Sequence, residues 1–116
     1  MRTFGIEEKY ITGSASYREK FMAFADILPQ MAGNPVYIWC ALELKRYFDI
    51  DEPLGPDNAQ RIYDETKRMI EHRRMSPRWC LQHSNVRLLA TTEDPVDDLH
   101  WHIALRKEGF TPRVLM

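Results

Sequence analysis

Hydrophobic positions before Asn85 recur at helical spacing, and the pattern changes only beyond it. Ser14 to Ser16 with Glu19 carry the residues of an N-cap and capping box, and Phe21, Phe24 and Leu28 follow every three to four places. This predicts an amphipathic helix that stops near residues 29–33. Asn34 followed by Pro35 is a second N-cap signature. The helix it opens has two apolar stripes, Val36, Trp39 and Leu42 on one side and Tyr37, Cys40, Leu44 and Tyr47 on another, so it is expected at the centre of a helical cluster. Two prolines, a glycine and four acids mark a loop over residues 49–59, with Asp57 placed to cap the next helix. Ala59, Ile62, Tyr63, Thr66, Met69 and Ile70 then give the cleanest 3.6-residue stripe in the chain, and Ser76–Pro77 opens a short fourth helix through Trp79, Cys80 and Leu81.

The stretch NVRLLATTEDPVDDLHWH, residues 85–102, is different. Val86, Leu88, Leu89 and Ala90 form a short apolar run with little alternation, the pattern of a parallel strand covered on both faces. Asp94 at an N-cap, Pro95 at the first helical position, and Asp97 and Asp98 in the first turn predict a helix starting directly off that strand. It should run to about Glu108, stop at Gly109 in the C′ position, and lead through Pro112 to a second apolar run over Val114 to Met116. The expected fold is therefore mainly α with a small βαβ unit, divided into a helical region over residues 1–84 and a strand–helix–strand segment over 85–116. Parallel strands joined by a crossover helix belong to larger sheets covered on both faces, which makes this segment look like a piece of a larger α/β protein.

Composition narrows the function classes. With 16 basic and 17 acidic residues the chain has no global field to draw it to nucleic acid or an anionic membrane. The basic spot at Arg73, Arg74 and Arg78 is interrupted by Met75 and Pro77 and is expected to be a solvated helix end. No apolar run approaches a membrane span and no signal-peptide pattern follows Met1, so a cytoplasmic setting is expected. Cys40 and Cys80 lack CxxC or Cys/His spacing, so two reduced, buried thiols are expected rather than a disulfide or a zinc site.

The only concentration of chemistry-bearing side chains is the acidic cluster after the apolar run. Asp94, Asp97 and Asp98 are accounted for by helix capping and the helix dipole, which leaves Glu93 as the carboxylate with a claim to function. His100 and His102 have the spacing of an HxH metal pair, but on a helix two such side chains diverge by about 200° and cannot share one ion. Trp39, Tyr47, Trp79 and Trp101 fall at helical spacings that suit a core or an interface better than a base-stacking platform.

Four stretches, MRTFGIEEKYITG, SASYREKF, GNPVYIWCALELKRYF and NVRLLATTEDPVDDLHWH, together resemble the uronate (glucuronate) isomerases of the amidohydrolase superfamily. TTEDPVDDL looks like that family's TT(D/E)DPxDxL signature, and His102 falls where the family also has a histidine. The resemblance implies a piece of a distorted (β/α)8 barrel: the helical insertion after the first barrel strand, then one strand, its helix and the start of another. It implies interconversion of D-glucuronate with D-fructuronate and of D-galacturonate with D-tagaturonate, by proton transfer between C2 and C1. It also implies a divalent metal such as zinc in the whole enzyme, held by an HxH pair and an aspartate, with a substrate-holding arginine in a PxxRPD-like segment. None of those motifs occurs in this chain, so no metal or other cofactor is expected to be bound by it and no catalysis by it alone. Thr92, Glu93 and Asp94 would then lie beside the pocket, Thr92 and Glu93 nearest. Self-association through unpaired strand edges is expected. The rival expectation is a free-standing helical module that docks on another protein through the exposed face of the strand unit.

Overall fold

A computed structural model describes residues 1–94 and 96–115. The chain divides into two compact units, Met1–His72 and Arg73–Met116.

In the first unit the opening residues are not a regular helix. Residues 1–15 make two short 3-10 turns, Arg2–Phe4 and Glu8–Tyr10, held by a two-pronged ion pair. Arg2 Nε lies 2.9 Å from Glu8 Oε2 and Nη2 2.6 Å from Oε1, while the Thr12 hydroxyl donates to the same carboxylate. These hydrogen bonds, the one from Arg2 foremost, hold the Glu8 carboxyl at about 2, well below the usual carboxylate range. Gly13 sits where an added Cβ would come within 2.6 Å of the Lys9 backbone, so only glycine allows the chain to fold back this closely.

Helix α1, Tyr17–Ile27, begins with the expected capping box: Glu19 N donates to Ser16 Oγ at 3.3 Å, and Ser16 N donates to Glu19 Oε2 at 2.8 Å. It tightens into a 3-10 turn, Leu28–Met31. Helix α2, Pro35–Phe48, starts as its signature requires, with Val36 N donating to Asn34 Oδ1 at 3.0 Å. Its end is set by the backbone. Asp49 turns left-handed at φ 58°, and Ile50 N donates to Leu44 O, bringing two buried side chains together.

Helix α3 spans Ala59–Arg73. The residue before it is Asn58, not Asp57, and the Asn58 side chain serves the preceding loop, not a cap. Its Oδ1 accepts from Gly55 N, and its Nδ2 donates to Glu52 Oε2 and Pro53 O. Asparagine wins here because its amide both donates and accepts, which the crossing of this loop needs and a carboxylate cannot supply.

The core of the unit is Ala25, Leu28, Leu44, Ile50, Leu54, Ala59 and Ile62. Only one stripe of α2 joins it, through Leu44 with Tyr37 and Cys40 partly buried against the cluster. The other side carries Ile38, Trp39 (60% exposed) and Leu42 in the open, so α2 lies at the edge of the cluster and not at its centre. A three-helix set of this size has room for one buried stripe per helix, and the second stripe has nothing in this unit to cover it. Cys40 is half-buried, as is Cys80, and both are free thiols; burial, with Glu43 nearby, pushes the Cys40 thiol up.

The second unit begins with α4, Pro77–His83, capped by Ser76 Oγ, which accepts from Trp79 N at 3.1 Å. Asn85 does not open a strand. It takes the left-handed turn after the helix at φ 52°, with Val86 N donating to Leu81 O. Nor is Arg78 merely solvated: it pairs with Glu108 at 2.8 Å and lies over the Phe110 ring. Strand β1 is Leu88–Ala90, shorter than the expected run from Val86, and β2 is Arg113–Leu115. They pair in parallel with Leu88 opposite Arg113, Leu89 opposite Val114 and Ala90 opposite Leu115.

Helix α5, His100–Lys107, crosses between the strands. It starts well after Asp94, the expected cap, and Asp97 and Asp98 precede it instead of lying in its first turn; Pro95 lies outside the described residues, as does Met116. The cause is local competition for backbone donors. Val96 N donates to Asp94 Oδ1 at 3.0 Å, Asp94 N to Asp97 Oδ2 at 3.2 Å, and Asp97 N to Asp94 O at 2.9 Å. Both carboxylates thus close a turn of their own. The end of α5 is as expected: Gly109 turns left-handed, and Phe110 N donates to Leu105 O. Burial of β1 is not as expected. Leu88 is 52% exposed, because a two-stranded sheet with one crossing helix covers one face only.

Candidate functional site

The C-terminal ends of parallel strands are where α/β folds assemble their sites, since helix starts and loop backbones converge there. In this chain that end is built by Thr91 after β1, Leu115 at the end of β2, and the first turn of α5. Leu99, just ahead of α5, and His102 and Leu105 within it are half-buried and spaced three apart. Two of the three are apolar, as a packed helix face requires, and the polar exception is His102, whose side chain is only 15% exposed.

His102 Nε2 lies 2.8 Å from Thr91 Oγ1, and that hydroxyl is also 3.2 Å from Leu115 O. Thr91 N donates to the same carbonyl at 2.9 Å, extending the parallel ladder by one rung. Glu93 reaches back toward the same point, with Oε1 3.8 Å from His102 Nε2. A small cavity of about 200 Å³ opens beside this group, lined among others by Glu93, Asp98, Leu99 and His102.

Of the residues singled out from the sequence, Glu93 and His102 are brought to this group. Thr92 is exposed. Asp94 is exposed too, and its side chain is occupied in the turn described above. His100 and His102 point to separate partners: His100 Nδ1 is 2.5 Å from Asp98 Oδ1, a contact that, with the His100 backbone N–H, holds the Asp98 carboxyl below its ordinary value. Thr91 joins them from the end of β1. The signal for it was a histidine on the packed face of α5, which must find a polar partner on the strand it covers.

Trp101 is 71% exposed, so with Trp39 it is not a core residue of this chain; Trp79 is half-buried and stacks on His83 at 4.4 Å. Among the described residues no group of three or more histidine, cysteine, aspartate or glutamate side chains could hold a metal ion. Among them, too, no helix is long and apolar enough to cross a membrane. The first unit holds a separate, mainly apolar groove of about 460 Å³ between Phe21, Phe24, Phe48, Leu54, Tyr63 and Ile70.

Comparison with known proteins places these features. The chain is 42% identical over 108 residues to a uronate isomerase of Clostridium perfringens and 47% identical over the same length to one of Caldicellulosiruptor saccharolyticus; each alignment covers 93% of this chain and 23% of the relative. The crystal structure of a uronate isomerase from Thermotoga maritima matches with a TM-score of 0.89 and 38% identity, over 98% of this chain and 25% of that one. The chain thus spans about a quarter of the length of the relatives it matches, and such matches do not favour a free-standing interaction module. The family profile described as glucuronate isomerase matches residues 1–115, and with a match of that extent the chain belongs to the glucuronate isomerase family.

Proposed function

We propose that this chain works as part of a cytoplasmic uronate isomerase of the amidohydrolase superfamily, acting on sugar acids. The reaction is the interconversion of D-glucuronate with D-fructuronate and of D-galacturonate with D-tagaturonate by proton transfer between C2 and C1. The observation that carries the proposal is the family match along residues 1–115, joined to a parallel β1–α5–β2 unit whose strand ends gather Thr91, Glu93 and His102. In this reading β1, α5 and β2 are one strand, its helix and the next strand of a (β/α)8 barrel, and residues 1–84 are a helical insertion.

Thr92, Glu93 and Asp94 leave β1 at the pocket end. Glu93 is the residue of this chain with the means to act there. Its carboxylate, beside an imidazole, can accept a hydrogen bond from a sugar hydroxyl or hold a proton near the substrate. Thr92 can donate a hydrogen bond from its exposed hydroxyl, while Asp94 shapes the loop by closing its turn. The divalent metal that the resemblance implies, such as zinc, does not fit the residues described here. Structural and catalytic zinc sites need three or four grouped ligands, and His102 Nε2 already has the Thr91 hydroxyl as its partner.

The test is Glu93→Gln in the full-length enzyme, with turnover of D-glucuronate followed at saturating substrate and bound metal measured in parallel. Turnover should fall about 10²- to 10⁴-fold, in keeping with the usual contribution of a positioned acid or base. Unchanged turnover with unchanged metal content would remove Glu93 from the site.

A further inference from the structure

The hydrogen bonds around His102 have a direction, and that direction assigns a role. Leu115 O can only accept. The Thr91 hydroxyl has one proton, and at 3.2 Å from that carbonyl it is placed to donate to it. For the 2.8 Å contact between Thr91 Oγ1 and His102 Nε2 to be a hydrogen bond at the same time, Nε2 must carry the proton. Glu93 argues independently for the same answer. Its Oε1 is 3.8 Å from Nε2, and a carboxylate facing the bare lone pair of an imidazole nitrogen would be repelled, whereas one facing an N–H is attracted. Two acceptors therefore converge on one nitrogen.

We propose that His102 is a positioning residue, held as the Nε2–H tautomer, that fastens helix α5 to the ends of both strands through Thr91 and turns the Glu93 carboxylate toward the same point. The order of donation runs His102 Nε2–H to Thr91 Oγ1, then Thr91 Oγ1–H to Leu115 O, with Thr91 N–H on the same carbonyl. The polar link crosses a small, partly buried space, where hydrogen bonds polarise one another and an unmade one is costly. It determines how residues 92–94 leave β1. The role of Glu93 at a pocket rests on the function proposed above; the tautomer and the fastening do not, and they are measured without substrate.

The measurement is the two-bond proton–nitrogen spectrum of the 116-residue chain labelled with ¹⁵N in its histidine rings, recorded about two pH units above the ordinary histidine range so that the rings are neutral. His102 should show a protonated Nε2 and a bare Nδ1, with the two nitrogens widely separated in shift. Thr91→Val removes the hydroxyl and should bring the two shifts toward each other as the tautomers mix; Thr91→Ser keeps the hydroxyl and should restore the separation. The Thr91 amide gives a second reading. It should exchange with solvent about fivefold faster in His102→Ala, and at close to the native rate in His102→Gln, whose amide N–H can take the place of Nε2–H. A protonated Nδ1, an averaged ring in the native chain, a ring indifferent to Thr91→Val, or equal amide exchange in the two His102 variants would each overturn the proposal.

Discussion

Ile62 and Ile70 lie two turns apart on the same stripe of α3, which makes them an internal control for what burial is worth in this chain. Ile62 is fully buried in the core and Ile70 is 43% exposed at the edge of the apolar groove. Replacing either by alanine removes the same atoms and gains the same helix propensity, so both terms cancel in the difference. At Ile62 the lost transfer energy of three carbons, ~0.8 kcal/mol each, is about 2.4 kcal/mol. Collapse there is incomplete because Ala25, Leu28 and Leu44 are held on separate elements, and the void left behind brings the total to about 3–4 kcal/mol. At Ile70 a little over half of the transfer term applies and no closed void forms, which gives about 1.4 kcal/mol. A unit of this size has roughly 4–11 kcal/mol of stability in all, so Ile62→Ala should leave it marginal while Ile70→Ala leaves it folded. Urea unfolding followed by helical circular dichroism measures both, with the midpoint shift converted through a common slope. Equal losses within about 0.5 kcal/mol would refute the placement of the core, since they would mean that the two positions are covered alike.

Three further outcomes follow from the same structure. Ser16→Ala should cost about 1 kcal/mol of unfolding free energy, through loss of the side-chain half of the capping box, and Ser16→Asp should recover most of it; thermal melts of the two variants check this. Glu8, held at about 2 in the folded chain against an ordinary value of ~4.3, contributes its link to Arg2 fully above the ordinary value and loses it as pH falls toward 2. A carboxyl carbon titration of Glu8 with a midpoint near 4 would contradict this geometry. Leu88, exposed on a strand with an open edge, should drive concentration-dependent self-association of the isolated chain. Sedimentation velocity should show Leu88→Lys reducing that association, and a native chain that stays monomeric at high concentration would refute the expectation.

The parts of this fold legible in the sequence are those decided within a few residues. The Ser16–Glu19 box, the Asn34–Pro35 and Ser76–Pro77 starts and the Gly109 stop all depend on side chains bonding their own backbone, and each stands where its residues placed it. The same kind of local bonding also explains why α5 starts later than its acidic residues suggest. Asp94 and Asp97 have the residue types of a helix start, yet each finds a backbone donor in a closed turn, so the chain reaches Leu99 in a left-handed conformation before α5 begins. A cap signature marks where a carboxylate meets backbone N–H groups; whether a helix or a turn supplies them is settled by the residues that follow.

Burial was the harder inference, because it depends on what covers a surface and not on the surface itself. The outer stripe of α2 and one face of the run Leu88 to Ala90, at Leu88 and Ala90, have the composition of interior positions, and both are open in this chain. The physical reason is that neither unit by itself supplies a second layer to lie over these faces. His102 is the opposite case. Its polarity on the packed side of α5 makes it look misplaced, until the Thr91 hydroxyl and the Leu115 carbonyl give its ring a fixed orientation inside the chain itself. A polar residue on a buried face thus points to a bond made within the unit, and an apolar residue on an open face points to a surface completed from outside it.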